Sequence, residues 1–387
     1  MEQQDSTTFI EQLECTPDPR HARGRSFEWR VLLAIISAAL VSNQTTPRSI
    51  AHWAAEHGQA LLAQLQPAKG RLPSASTIYR VLRKVNRRQL ETQVAVHNQA
   101  LDAEDAVTGG VSAVNGELLR GQAVDGKAVR GANKHGCALH LVSLVRHESG
   151  CVLGQRAVAN KSNEITAVPL LLAGRDLRHT VTTMDALLTQ RAIARQIGQQ
   201  HGHYLMVVKE NQPELHAQIA LLFKMPPVPV CPGELLTYSS TERSHGRFET
   251  RTIASSTALA GYLDWPGAAQ VMRRTCRRVI LRTGEVSNKT TYGITSLGRD
   301  LALPEQIEAF WRGHWTIENK VHYVRDETMR EDCGQTHTGS APQALAALRN
   351  GIISLLRHRG WNNIAQALRH YGASVQQALQ LIGWPAT

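Results

Sequence analysis

The chain has 387 residues and carries 43 Lys and Arg against 32 Asp and Glu, a net charge of +11. That is length for two or three domains, and the charge suits a polyanionic partner such as nucleic acid, a generic basic enzyme being the plainer reading. Six scattered cysteines with no C-x-x-C pair exclude a zinc cluster or disulfide framework. The polar, acidic first eight residues are unlike a secretory signal, and the longest apolar run, Val31 to Val41, falls short of the roughly 20 residues that cross a bilayer, so the expected location is the cytoplasm, with the nucleoid and away from membranes.

In chain order, residues 1–24 read as a polar leader and 25–105 as a helical N-terminal domain that binds DNA. Phe27 to Ser42 is an apolar helix, and Thr46 caps a second helix with Pro47 at its first position. A break at Leu72–Thr77 precedes a helix from about Ser76 to Val85. There Ile78, Val81, Leu82 and Val85 face inward, leaving Arg80, Arg83 and Lys84 outward, as a helix-turn-helix reader of DNA or as a solvated basic face. After a small-residue linker, residues 118–223 read β-β-β-α-β-α-β, with Asp125 ending the first strand and Asp185 following the fourth. That order predicts an α/β mixed sheet flanked by helices, as in the ribonuclease H-like fold. Residues 224–300 open on a Pro-rich run and read as a β-rich insertion; residues 301–387 are helical, with a helix over about Pro304–Asn319.

Phosphoryl transfer by two metal ions needs carboxylates converging from different elements to hold ions about 3.5–4 Å apart. Asp125 and Asp185 could meet, since the first and fourth strands of such a sheet are neighbours, and small residues follow each of them, Gly126 and Ala186. A third carboxylate must come from a distant helix, where Glu318 is the first choice and Asp326, eight residues on and on the same face of a continuous helix, the second. Glu164 is an outsider that also suits helix capping. Five arginines, Arg273, Arg274, Arg277, Arg278 and Arg282, crowd one stretch of the insertion as a track for duplex backbone or as a solvated face.

The run Asp125-Gly126-Lys127-Ala128-Val129-Arg130-Gly131 resembles the D-G-K-x-x-R-G motif of a group of bacterial DDE insertion-sequence transposases that includes the H-repeat-associated proteins of Rhs elements. Lys161-Ser162-Asn163-Glu164, Thr183-Met184-Asp185-Ala186, Val208-Lys209-Glu210-Asn211, His245-Gly246-Arg247 and His314-Trp315-Thr316-Ile317-Glu318-Asn319 continue the match in order, over roughly residues 20 to 358. The resemblance implies a ribonuclease H-like core whose catalytic, metal-holding triad falls on Asp125, Asp185 and Glu318, with two Mg²⁺ ions for which Mn²⁺ can substitute. It implies metal-dependent cleavage of 3′ ends and strand transfer, with inverted repeats and target duplex DNA as partners and a homodimer at work on DNA. Related enzymes carry a Tyr–Arg–Glu–Lys signature around the third carboxylate; here those positions hold Trp311, His314, Glu318 and Arg325. Lys127, Arg130, Lys161, Lys209, His314 and Arg325 are then candidate phosphate contacts beside the triad, with Arg80, Arg83 and Lys84 on the N-terminal helix. The alternatives are a domesticated DNA-binding protein without strand transfer and a ribonuclease H-like nuclease.

Overall fold

A computed structural model describes residues 7–105, 109–134, 137–158, 164–225, 234–244 and 246–385. The first helices are α1 (Phe9–Glu14), α2 (Trp29–Val41), α3 (Pro47–Glu56), α4 (Gly58–Leu65), α5 (Ala75–Lys84) and α6 (Arg87–Glu104). Then come β1 (Val111–Ser112), β2 (Leu118–Lys134), β3 (Cys137–Arg146), β4 (Val152–Val158), α7 (Glu164–Leu172), β5 (Thr180–Met184), α8 (Arg191–Gln199), β6 (His203–Val208) and α9 (Pro213–Lys224). Strands β7 (Leu235–Ser244), β8 (Arg247–Ser256), β9 (Gln270–Ile280) and β10 (Val286–Thr295) lead to α10 (Pro304–Gly313). Two π-helical segments, Ile317–His322 and Val324–Thr328, precede α11 (Ala341–His358), α12 (Ile364–Gly372) and α13 (Val375–Leu381). No described helix is long and apolar enough to cross a membrane.

The chain forms two compact units, each built from separated segments: Met1–Thr108, Gly126–Ala167 and Ile317–Thr387 in the first, Gly109–Asp125 and Val168–Thr316 in the second. This differs from the consecutive division that composition suggests. In the first unit, α2 is buried from Val31 to Val41 among helices from both ends of the chain, including α11, α12 and α13. The stretch read as a polar leader contributes α1 to this core: Thr8 and Glu11 close a capping box, Phe9, Ile10 and Leu13 are buried, and the Ile10 N–H donates to the Ile382 carbonyl. Helix α3 starts as expected, on a Thr46–Ser49 capping box with Pro47 in its first turn. Strands β3 and β4 form an antiparallel hairpin that turns at Gly150, whose φ of +72° favours glycine. Helix α6 is tied to β4 where Asn98 and Gln99 donate to the Val152 and Leu153 carbonyls.

In the second unit the strand order is β2-β5-β6-β10-β9-β8-β7. The pairs β2–β5 and β5–β6 are parallel and the remainder antiparallel. The stretch read as an insertion therefore supplies β7–β10, and β10 joins them to β6 by backbone bonds from Tyr292↔Val208 to Thr295↔Leu205. Val181, Leu205, Ile253, Met272, Phe310 and Trp311 form this unit's core. Strand β2 also differs from expectation, for it runs on through Asp125 to Lys134 instead of ending there.

Candidate functional site

The second unit holds two of the three expected carboxylates. The parallel register of β2 and β5 ends at Val124↔Met184; Asp125 comes next on β2 and Asp185 comes next after the end of β5. Neighbouring strands run about 4.8 Å apart, so this register brings the two half-buried aspartates together. The turn after β5 holds Asp185 in place: its Oδ1 accepts the Leu188 N–H at 3.2 Å, and its carbonyl accepts the Thr189 hydroxyl at 3.0 Å. Asn211 donates to the Ala186 carbonyl at 2.6 Å. His314, just past α10, places Nδ1 3.0 Å from the Thr183 hydroxyl, and that hydroxyl also donates to the Gln122 carbonyl at 3.2 Å. The histidine thus ties the end of α10 to the strand that carries Asp185. Lys209 is exposed one residue past β6.

The first unit carries the rest of the motif. A Cβ at Gly126 would lie 2.2 Å from the Glu164 carboxyl carbon, so the buried Glu164 carboxylate packs on the bare backbone next in sequence to Asp125. Lys127 is buried; its ammonium bonds Asp326 closely and lies 3.9 Å from Glu331 and 3.8 Å from Asp332. It therefore anchors an acidic segment to β2 and is not open to phosphate as expected. Arg130 anchors by its backbone N–H, 2.9 Å from Asp332 Oδ1, while its side chain is 84% exposed. Lys161 lies outside the described residues.

Arg325 corrects another expectation. Its side chain is 0% exposed and donates to Glu331 Oε2 from Nε at 3.0 Å and from Nη2 at 2.7 Å. Arg349 donates to the other oxygen of Glu331 at 3.1 Å. Burial opposes ionisation of Glu331, but the charges of Arg325, Arg349 and Lys127 outweigh it and hold the carboxyl below its ordinary range. A guanidinium so enclosed does not reach a phosphate. The network continues through Gln155, whose Oε1 accepts from Arg325 and Asn350 while its amide donates to Glu91 at 2.7 Å. None of this was legible from spacing, because its members come from α6, β2, β4, α11 and the π-helical segments.

Glu318 is exposed on the first π-helical segment, with Oε2 3.5 Å from Nδ1 of the buried His322. Burial holds the His322 imidazole below its usual value, which favours the neutral ring. The expected α-helix through Asn319 stops at Gly313, and the π turns bond i to i+5, so the eight-residue spacing that put Asp326 on the face of Glu318 no longer applies. Asp326 is engaged by Lys127 instead. Trp311 is a core residue, stacked by Arg274 and packed against Gly293.

The arginines of β9 do not form one track. Arg274 is bidentate to Glu308 with both contacts at 2.7 Å, Arg278 pairs with Glu249 at 2.7 Å, and Arg273 sits over the Phe223 ring. Arg277 and Arg282 are exposed. On α5, Arg80, Arg83 and Lys84 face outward and Ile78, Val81 and Leu82 inward, as the periodicity predicts.

Residues 116–354, more than half the chain, match the family described as "Transposase DDE domain", and residues 10–97 match the family described as "DDE_Tnp_1-associated". The chain belongs to the DDE transposase family. Relatives include "Putative transposase YncI" of Escherichia coli O157:H7, 33% identical over 250 residues, 63% of this chain and 62% of that protein. "H repeat-associated putative transposase YhhI" of Escherichia coli (strain K12) is 31% identical over 60% of this chain and 63% of its own length. The match thus spans under two thirds of YncI and of YhhI, whereas "Putative protein YbfL" of the same strain is 28% identical over 90% of each chain. Asp125, Asp185 and Glu318 all fall inside the matched segment.

Proposed function

We propose that the protein is a DNA transposase of a bacterial insertion sequence that cuts the 3′ ends of its element and joins them to target duplex DNA. The observation that carries this reading is the register that sets Asp125 and Asp185 side by side within a segment matching the DDE transposase family. A ribonuclease H-like core is part of the proposal, supported by three hairpin-ordered strands followed by parallel β5 and β6. Asp125, Asp185 and Glu318 would hold two Mg²⁺ ions, with Mn²⁺ as a substitute; carboxylate oxygen donors suit such a hard cation. When bound, the ions would activate the attacking oxygen and stabilise the leaving one.

The chain's own residues set the geometry. Leu188 and Thr189 fix the turn at Asp185, and His314 fixes the strand before it. Lys127 and the Glu331 network hold the segment after Glu318 to β2. Exposed Arg130, Lys209, Arg80, Arg83 and Lys84 would meet backbone phosphates, and Lys161 joins them on its motif alone. Two element ends must be brought together, which calls for a homodimer on DNA.

Cleavage and joining of a labelled duplex carrying the element's ends, with Mg²⁺, with Mn²⁺ and with EDTA, test the reading. Asp185→Asn should abolish both steps and leave duplex binding intact. Binding without cutting under any metal would instead favour a DNA-binding protein without strand transfer.

A further inference from the structure

The backbone that carries Glu318 is pinned without help from its carboxylate. Ile317 and Val321 are fully buried. Lys320 Nζ donates to the Glu148 carbonyl at 2.7 Å, and a Cβ at Gly150 would lie 2.8 Å from Lys320 Cδ, so the lysine stem packs on bare backbone at the hairpin turn. Further along, Arg325 is enclosed with Glu331. The Glu318 side chain, by contrast, is 48% exposed, and the rotatable bonds of an exposed glutamate give its carboxylate many places to be. His322, at i+4, meets it there: Nδ1 lies 3.5 Å from Oε2, and the histidine is only 4% exposed. A ring so enclosed keeps one orientation while the glutamate has solvent on its side, so the contact selects a rotamer of Glu318. Asp185 is held through one oxygen in the same way, where Oδ1 accepts the Leu188 N–H at 3.2 Å. A carboxylate held through one oxygen can still offer its other to a hard cation.

We propose that His322 is a positioning residue for the third carboxylate: the N–H at Nδ1 holds Glu318 Oε2 and so presents the carboxylate in the rotamer that takes the metal. The inference rests on the reading of Glu318 as a metal carboxylate. Metal-ligating carboxylates are themselves hydrogen-bonded, and loss of such a partner weakens metal binding by about 10–100-fold. In this role His322 touches neither metal nor substrate and acts through Glu318.

Uptake of Mn²⁺ by the full chain without DNA, followed by the electron paramagnetic resonance signal of the free ion, reads this without any turnover. His322→Ala should raise the dissociation constant for Mn²⁺ about tenfold or more. His322→Asn, whose amide N–H stands where the Nδ1 N–H stood, should bind Mn²⁺ nearly as wild type does. Both variants remove the same buried ring and should lose similar stability to urea, so packing alone predicts equal losses of affinity, whereas positioning separates the two. His322→Leu fills the space without a donor and takes the place of His322→Ala if that variant does not fold by circular dichroism. Equal affinities with and without the donor, whether both weak or both as in wild type, would overturn the role of His322 while Glu318→Gln still lowers uptake. Uptake that is the same in wild type and in Glu318→Gln would overturn the metal reading of Glu318 and the inference with it.

Discussion

Residues that share one chemistry in the sequence have opposite fates here. Arg130 and Arg325 are both motif arginines, yet the first is exposed and the second is enclosed with Glu331. Removing Arg325 strips Glu331 Oε2 of both its guanidinium donors, although Arg349 still meets Oε1, and breaking a buried ion pair is strongly destabilising. Arg325→Met should therefore cost about 3 kcal/mol in urea unfolding, whereas Arg130→Met should leave stability nearly unchanged. Glu91 adds a pH dependence. Burial pushes its carboxyl from 4.5 to about 7, against hydrogen bonds from Gln155 and Gln343. The folded state then holds this proton where the unfolded chain has lost it, so the contribution is fully present below pH 4.5 and is lost as pH rises through 7. Glu91→Gln should remove the dependence. The stability of wild type relative to the variant should fall by about 3 kcal/mol across that window, read from urea midpoints at each pH.

At the scale of elements, short pieces depend on what they dock against. Helix α1 has six residues, too few to persist alone in water; it is held because Phe9, Ile10 and Leu13 are buried and because Gly351 on α11 admits the Phe9 ring. Phe9→Ala should cost about 3–5 kcal/mol, measured by chemical denaturation. Strand β10 depends on a similar close approach, for a Cβ at Gly293 would lie 2.7 Å from the Trp311 ring. Gly293→Ala should destabilise the second unit by about 1–3 kcal/mol through overpacking, and Trp311 fluorescence should report the shift.

For the whole molecule, the helical N-terminal region is not a free-standing module. Its core residues on α2 and α5 share one cluster with Leu345, Leu348, Ile352 and Ile353 of α11. A fragment of residues 1–105 lacks that partner and should show little cooperative unfolding by circular dichroism; a sharp transition at the temperature of the full chain would contradict the shared core.

The sequence by itself determined the local elements and the motifs from which the site is proposed. Alternation and apolar runs located β4 and β6, capping chemistry located α3, and the motif around Asp125 marked the aspartates, because each of these signals lies within a few residues. Missed were α1, α9 and β7. The tertiary structure decided what depends on distant partners: the register that sets Asp125 beside Asp185, the addition of β7–β10 to β6, and the π turns at Glu318. It also decided which cations face solvent. Burial and ion pairing of Lys127 and Arg325 depend on residues nearly 200 positions apart in the chain for Lys127 and on Gln155 and Asn350 for Arg325, and no local pattern records such meetings.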